Sequence, residues 1–164
     1  MQVKPTRFYH GSVNGDLDEL KPQNKSFRKK DEGELLFAGA DIACATLFLV
    51  RMYDHESSKG YNDGVYFFVI SDKKRFMELD KGGTVYVLPD ANFTCDHNQW
   101  EQEWATKENV KPLNKIHFDS ALRAMIDNGV KVYFTDKETF EKEIMRKQRT
   151  WEYLEKNLGL VAEK

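Results

Sequence analysis

Three segments of this chain carry side chains that can do chemistry in concert. Phe8-Tyr9-His10-Gly11-Ser12 is an aromatic run ending in His-Gly. A histidine there offers a titratable ring, and a glycine lets a ligand come close to main-chain N–H and C=O groups. Leu36-Phe37-Ala38-Gly39-Ala40-Asp41, continued by Ala43 and Ala45, reads as a strand, a small-residue turn and a helix start, where close backbone approach and an anion at the helix N-terminus are both possible. Trp100-Glu101-Gln102-Glu103-Trp104 holds two carboxylates at period-two spacing, so an extended backbone puts Glu101 and Glu103 on one face. A carboxylate between aromatic rings is partly desolvated and acts more strongly on a developing positive charge. Each segment also has a plain structural reading: a turn glycine beside a half-buried histidine, helix-on-sheet packing, and a solvated acidic loop pinned by two tryptophans.

The elements that must position these residues follow from hydrophobic pattern and breakers. Arg7–His10 reads as a strand, and residues 23–33 as a polar loop. The run Leu35–Ala38 is a buried strand, followed by a helix capped by Asp41 with Ile42, Ala45, Leu49 and Met52 at helical spacing. Asp54–Asp63 reads as a second polar loop, and Val65–Ile70 is too apolar for an alternating surface strand, so it is central. Further strands are expected at Thr84–Leu88, Trp104–Thr106, Lys115–Phe118 and Val130–Phe134, with helical turns at Ser71–Glu78 and after Asp119-Ser120, the latter stopped by Asn128-Gly129. Phe140, Ile144, Trp151, Leu154 and Leu158 form one stripe, predicting a long amphipathic helix over about 137–158. The expectation is a single α+β domain over 1–164, with a core of about 7–134 and that helix as a C-terminal strut. Closely spaced strands argue against a doubly wound sheet.

Composition narrows the function classes. The 164 residues carry 25 Lys+Arg against 27 Asp+Glu, a formal charge of −2, so a protein working mainly by neutralising phosphates or anionic lipid across its whole surface is excluded. Two cysteines, Cys44 and Cys95, fit a reduced compartment better than a disulfide framework. The start has no apolar signal region, and the longest apolar stretch, Ile42 to Val50, falls far short of the roughly 20 residues that span a bilayer. A soluble cytoplasmic protein is expected. There is no Gly-x-Gly-x-x-Gly helix start, no phosphate-loop signature, no Cys-x-x-Cys, no His-Glu-x-x-His and no Gly-x-Ser-x-Gly. With Cys95-x-His97 as the one Cys/His neighbour pair, no metal site is expected.

The ordered triplet of segments resembles the ADP-ribosyltransferase superfamily, and within it the His-Tyr-Glu group that includes poly(ADP-ribose) polymerase-like enzymes. Val110-Lys111-Pro112-Leu113 is similar to the Ile-x-Pro segment that follows the group's third motif. Asp16-Leu17, Pro22 and Val85-Tyr86-Val87-Leu88-Pro89 resemble the layout of the small bacterial rifamycin ADP-ribosyltransferases. The resemblance covers roughly residues 7–118. It implies a split β-sandwich flanked by helices and NAD as substrate, with no metal. It further implies His10 on the adenosine ribose, the Gly11 backbone on the nicotinamide carboxamide with Ser12 beside it, and Glu103 stabilising the oxocarbenium-like transition state. Glu101 stands where arginine-directed relatives carry the first acid of a Glu-x-Glu pair, which orients or deprotonates the acceptor. The group's second-motif tyrosine falls near Leu36 or Phe37. Phe37 can stack on nicotinamide but offers no hydroxyl, so Tyr66 or Tyr53 would have to stand in. Arg28, Lys29 and Lys30 either close over the pyrophosphate or form a solvated charge run.

The expected activity is NAD-dependent mono-ADP-ribosyl transfer to a protein, nucleic-acid or small-molecule acceptor, or NAD glycohydrolysis. A rival on the same fold acts on a nucleoside or nucleic acid and calls for a local basic groove despite the near-neutral total. A second rival is a non-catalytic inhibitor or regulator that binds a nucleotide or a protein partner, docking through the Trp151 helix.

Overall fold

The structure is a computed structural model describing residues 3–23, 31–96 and 102–164. Among these residues the strands are β1 Arg7–Ser12, β2 Leu36–Gly39, β3 Ser57–Asn62, β4 Val65–Ile70, β5 Gly83–Pro89, β6 Thr94–Cys95, β7 Glu103–Thr106, β8 Asn114–Phe118 and β9 Lys131–Phe134. The helices are α1 Ile42–Thr46, α2 Lys73–Leu79, α3 Ala121–Asp127, α4 Lys137–Thr139 running into a π-helical turn Phe140–Ile144, and α5 Trp151–Lys156. Six strands form an antiparallel sheet in the order β6-β7-β2-β1-β5-β8. The other three form the sheet β3-β4-β9, whose β4–β9 pair is parallel. The fold is α+β with mostly antiparallel pairing.

Pleat alternation sorts the side chains into three cores. Tyr66, Phe68 and Ile70 of β4 pack with Val85, Phe76 and the buried faces of α1 and α3, filling the space between the two sheets. Phe67 and Val69, on the opposite face of β4, pack with Tyr133, Phe140, Ile144 and Leu154. Val65–Ile70 is thus apolar on both faces because both are covered, and β4 is the middle strand of its sheet. Phe8, Leu36, Ala38, Tyr86, Leu88 and Trp104 bury the outer face of the six-stranded sheet.

Three local expectations are corrected. The stretch Asp54–Asp63 is not all loop: it contains β3, which reaches β4 through the two-residue turn Asp63-Gly64, both residues left-handed at φ 50° and 75°. Asp-Gly at that position is a hairpin turn whose twist matches the strands, and it imposes extended structure on a polar run with no β pattern of its own. The helix after Asp41 stops at Thr46, and tight turns carry Leu49 onto the core.

The single C-terminal helix over 137–158 does not form. Its first turns end at Ile144, Arg146 adopts φ 60°, and α5 starts afresh with Thr150 accepting from Tyr153 N at 3.2 Å. A straight helix of that length would run about 33 Å, whereas a six-residue strand offers about 20 Å. Folding back is what lets Phe140, Ile144 and Leu154 all reach the same sheet face. Trp151 is likewise used internally, donating from N and Nε1 to Asn62.

Asp80, at the end of α2, accepts from Gly82 N, Ser120 Oγ, Ala121 N and Leu122 N at 2.7–3.1 Å, holding the first turn of α3 against the sheet. Asp80→Ala should lose about 2–3 kcal/mol in urea unfolding, since several donors lose one charged acceptor.

Candidate functional site

The sheet is incompletely zipped where the site lies. β1 is registered with β5 along its whole length, from Arg7↔Pro89 to Ser12↔Thr84, but with β2 only at Tyr9↔Gly39. Beyond that pair the two backbones are not laddered. The His10 side chain crosses the gap instead, its Nδ1 donating to the Phe37 carbonyl at 2.6 Å. In this gap sits a cavity of about 230 Å³, lined among others by His10, Gly11, Phe37, Cys44, Phe48 and Glu103. His10 and Glu103 are 93 positions apart in the chain and border the same hollow. A larger groove of about 1,110 Å³ continues from His10, Gly11 and Ser12 past Phe48 to Arg51 and Lys59.

Helix α1 closes the cavity from the core side, and two glycines let it do so. A Cβ on Gly11 would stand 2.0 Å from the Ala45 carbonyl oxygen, and one on Gly39 would stand 2.6 Å from Cys44 Cβ. Any side chain at either position would lift α1 off the sheet. The absent side chain of Gly11 therefore makes room for the helix. Asp41 caps α1, accepting from Cys44 N at 2.9 Å. The Tyr66 hydroxyl donates to Asp41 Oδ2 at 3.1 Å, with Gln102 Oε1 also in reach at 3.3 Å, and Ala40 N donates to the Gln102 carbonyl at 3.1 Å. These bonds pin Gln102, and β7 begins at the next residue with Glu103 registered against Gly39.

Of the residues singled out in the sequence, His10, Gly11, Phe37 and Glu103 meet at the cavity. Ser12 lies in the adjoining groove, its Oγ accepting from Asn14 N in a local turn. Tyr66, the other residue expected at the cofactor, is only 4% exposed and is not among the cavity lining; its hydroxyl braces Asp41 and Gln102. The pleat turns Trp104 to the outer face against Phe8, with ring centroids 5.6 Å apart. Glu101, Trp100 and the Arg28-Lys29-Lys30 run lie outside the described residues. Phe48 and Cys44 were not singled out as lining. Phe48, 40% exposed just past the end of α1, reads in sequence as one more residue of an apolar run.

The electrostatics follow from burial. Desolvation holds the His10 pKa below its ordinary 6.5, outweighing the bond to the Phe37 carbonyl. The ring is then neutral at pH 7, and with Nδ1 protonated its Nε2 is left as an acceptor. Burial, with the Asp41 and Glu103 carboxylates nearby, pushes the Cys44 thiol far above its ordinary value, so it stays protonated and inert. Lys59 is lowered by desolvation, against the pull of Asp54 and Glu103.

Comparison with protein-family models, curated proteins and solved structures gives no match. The site stands on its own geometry.

Two outcomes follow. Tyr66→Phe should lose about 1–2 kcal/mol in urea unfolding, because buried acceptors lose their donor. His10 binds its proton less readily folded than unfolded, so the unfolded chain gains protons first as pH falls below 6.5 and stability drops there. Above that pH its contribution is constant. The urea midpoint should fall between pH 7.5 and pH 5.5, and fall by less in His10→Gln.

Proposed function

We propose that the chain cleaves the nicotinamide N-glycosidic bond of NAD on an ADP-ribosyltransferase-like split β-sandwich, and passes ADP-ribose to an acceptor or to water. The carrying observation is the convergence of His10 and Glu103 on one cavity at the unzipped β1–β2 junction. At about 230 Å³ that cavity is below the size that encloses a drug-sized ligand. It suits the nicotinamide end of the dinucleotide, and the adjoining groove takes the rest.

In this reading Phe37 stacks on the nicotinamide and the Gly11 backbone meets its carboxamide. His10 Nε2 accepts from a hydroxyl of the adenosine ribose. Glu103 accepts from the 2′-OH of the nicotinamide ribose. The bond from the anomeric carbon to nicotinamide breaks heterolytically, nicotinamide leaves with the electron pair, and positive charge spreads over the anomeric carbon and ring oxygen. A preorganised carboxylate stabilises that charge more than the ground state, as in glycoside cleavage. The acceptor adds to the anomeric carbon and loses its proton.

The docking of partly buried Trp151 and buried Leu154 on their own sheet removes one motive for a purely partner-binding protein. Incubation with NAD and quantification of released nicotinamide tests the reading. Glu103→Gln should lower the rate by about 100-fold or more with NAD affinity changed little, the size typical of one lost transition-state electrostatic group. Absence of NAD binding by calorimetry, or a Glu103→Gln variant as fast as the parent, overturns it.

A further inference from the structure

On the far side of Lys59 from the cavity groove lies a second, solvent-facing hollow of about 800 Å³ between β3 and the turn Met145–Gln148. A further hollow continues from it along β3 to Thr150, and Lys59, Lys147 and Gln148 border both. Three features mark these hollows, and two of the residues involved, Tyr53 and Lys59, also border the groove that runs to His10.

The first is charge. Asp54 is the one acid lining either hollow among the described residues, against Lys59, Arg146, Lys147 and Arg149. The nearby acids are already compensated, Glu56 by Arg75 at 2.6 Å and Glu143 by Arg149 at 3.3 Å. Arg146 has no hydrogen-bond or ion-pair partner among the described residues, and the Lys147 ammonium reaches only the Lys142 carbonyl. The Lys59 ammonium makes no hydrogen bond or ion pair among the described residues; it rests over the Phe48 and Phe68 rings at 4.8 and 5.2 Å, partly desolvated and within the pull of Asp54 and Glu103. Arg146 and Lys147 are thus cations with no acid partner among the described residues.

The second is an aromatic platform. Tyr53 is 65% exposed and stacks on His55, with centroids 5.5 Å apart and planes within 10°. With one face on His55, the ring leaves most of its surface open on the rim of a basic hollow.

The third is backbone. Arg146 holds φ 60°, a conformation that costs a non-glycine residue about 1–2 kcal/mol, and it presents an exposed guanidinium at the rim. Stacking faces beside cations spaced along a groove are the two requirements of single-stranded nucleic-acid binding, and neither needs a basic total charge.

We propose that this face binds single-stranded nucleic acid, a base stacking on Tyr53 and the phosphates lying on Lys59, Arg146 and Lys147. Because Lys59 also borders the groove that runs to His10, a strand held here lies beside the reaction cavity. Its role as acceptor rests on the NAD reading; its binding does not.

The test is fluorescence anisotropy of labelled oligothymidylate of about 12 nucleotides, within the span of one compact binding fold. It is run without NAD, so its outcome is independent of nicotinamide release. Saturable binding is expected. Arg146→Gly with Lys147→Ala should weaken it at least tenfold and flatten the salt slope by about 1.4, two single-strand phosphate contacts. Tyr53→Ala should weaken it about tenfold with the slope unchanged. Glycine at 146 relieves the left-handed strain, so its loss of binding cannot be ascribed to unfolding, and urea midpoints of all variants check this. Arg123→Ala, on α3 and paired with Asp127, should change nothing. No binding at low salt overturns the proposal. So do binding untouched by these variants, equal competition by a polyglutamate peptide, or heparin binding with Tyr53 irrelevant, which would mark a generic polyanion patch.

Discussion

The seating of α1 on the six-stranded sheet is the contact on which the rest of the site depends. Its backbone closes on β1 at Gly11 and its Cys44 side chain on β2 at Gly39, where a Cβ would stand 2.0 Å from the Ala45 carbonyl oxygen and 2.6 Å from Cys44 Cβ. Strand pairing between β1 and β2 stops at this crossing, and the gap left over is the cavity. A helix pressed this closely satisfies its first turn through the Asp41 cap, and the same carboxylate takes the Tyr66 hydroxyl from the other sheet. Both sheets are thus tied to one turn, and Gln102 hangs from that tie immediately before Glu103. The position of the carboxylate is a consequence of packing, not of its own local sequence.

That arrangement separates protonation states without any metal-like charge. The half-buried imidazole is neutral and donates from Nδ1 to a main-chain carbonyl, so its free nitrogen can only accept. The thiol beside Glu103 is too desolvated to ionise, which keeps a competing nucleophile silent. Among the groups lining the cavity are one acceptor imidazole, one carboxylate, the Gln23 amide and aromatic ring faces, a set suited to a sugar hydroxyl and a flat heterocycle and poorly suited to hydrolytic chemistry through the protonated Cys44.

The near-neutral charge of the chain conceals a division of labour. Acidic side chains along its surface are largely consumed in local caps and pairs, as at Asp72, Asp136 and Glu138. The basic residues around the Met145–Gln148 turn are not matched in the same way. This unevenness is created by the break in the C-terminal segment, which turns Arg146 and Lys147 outward beside β3 while Phe140 and Ile144 stay beneath the sheet.

Much was legible in the chain itself. Apolar runs and caps located β4, β5, β9, the Asp41 and Ser120 helix starts and the three motif segments, because each depends on neighbours within a few residues. The aromatic residues show the limit: Phe8, Tyr66 and Trp104 went to the core while Phe37 and the unremarked Phe48 went to the cavity. Pleat and register decide that, and register is set by strands far apart in the chain. The hairpin strand β3 and the folded-back C-terminus were hidden for the same reason, the first imposed by its Asp-Gly turn and partner, the second by the length of the sheet it covers. Residue types and their order determined what chemistry this chain can offer. Only the tertiary structure decided that His10 and Glu103 would share one hollow, because the gap holding them exists only where two strands part around a helix.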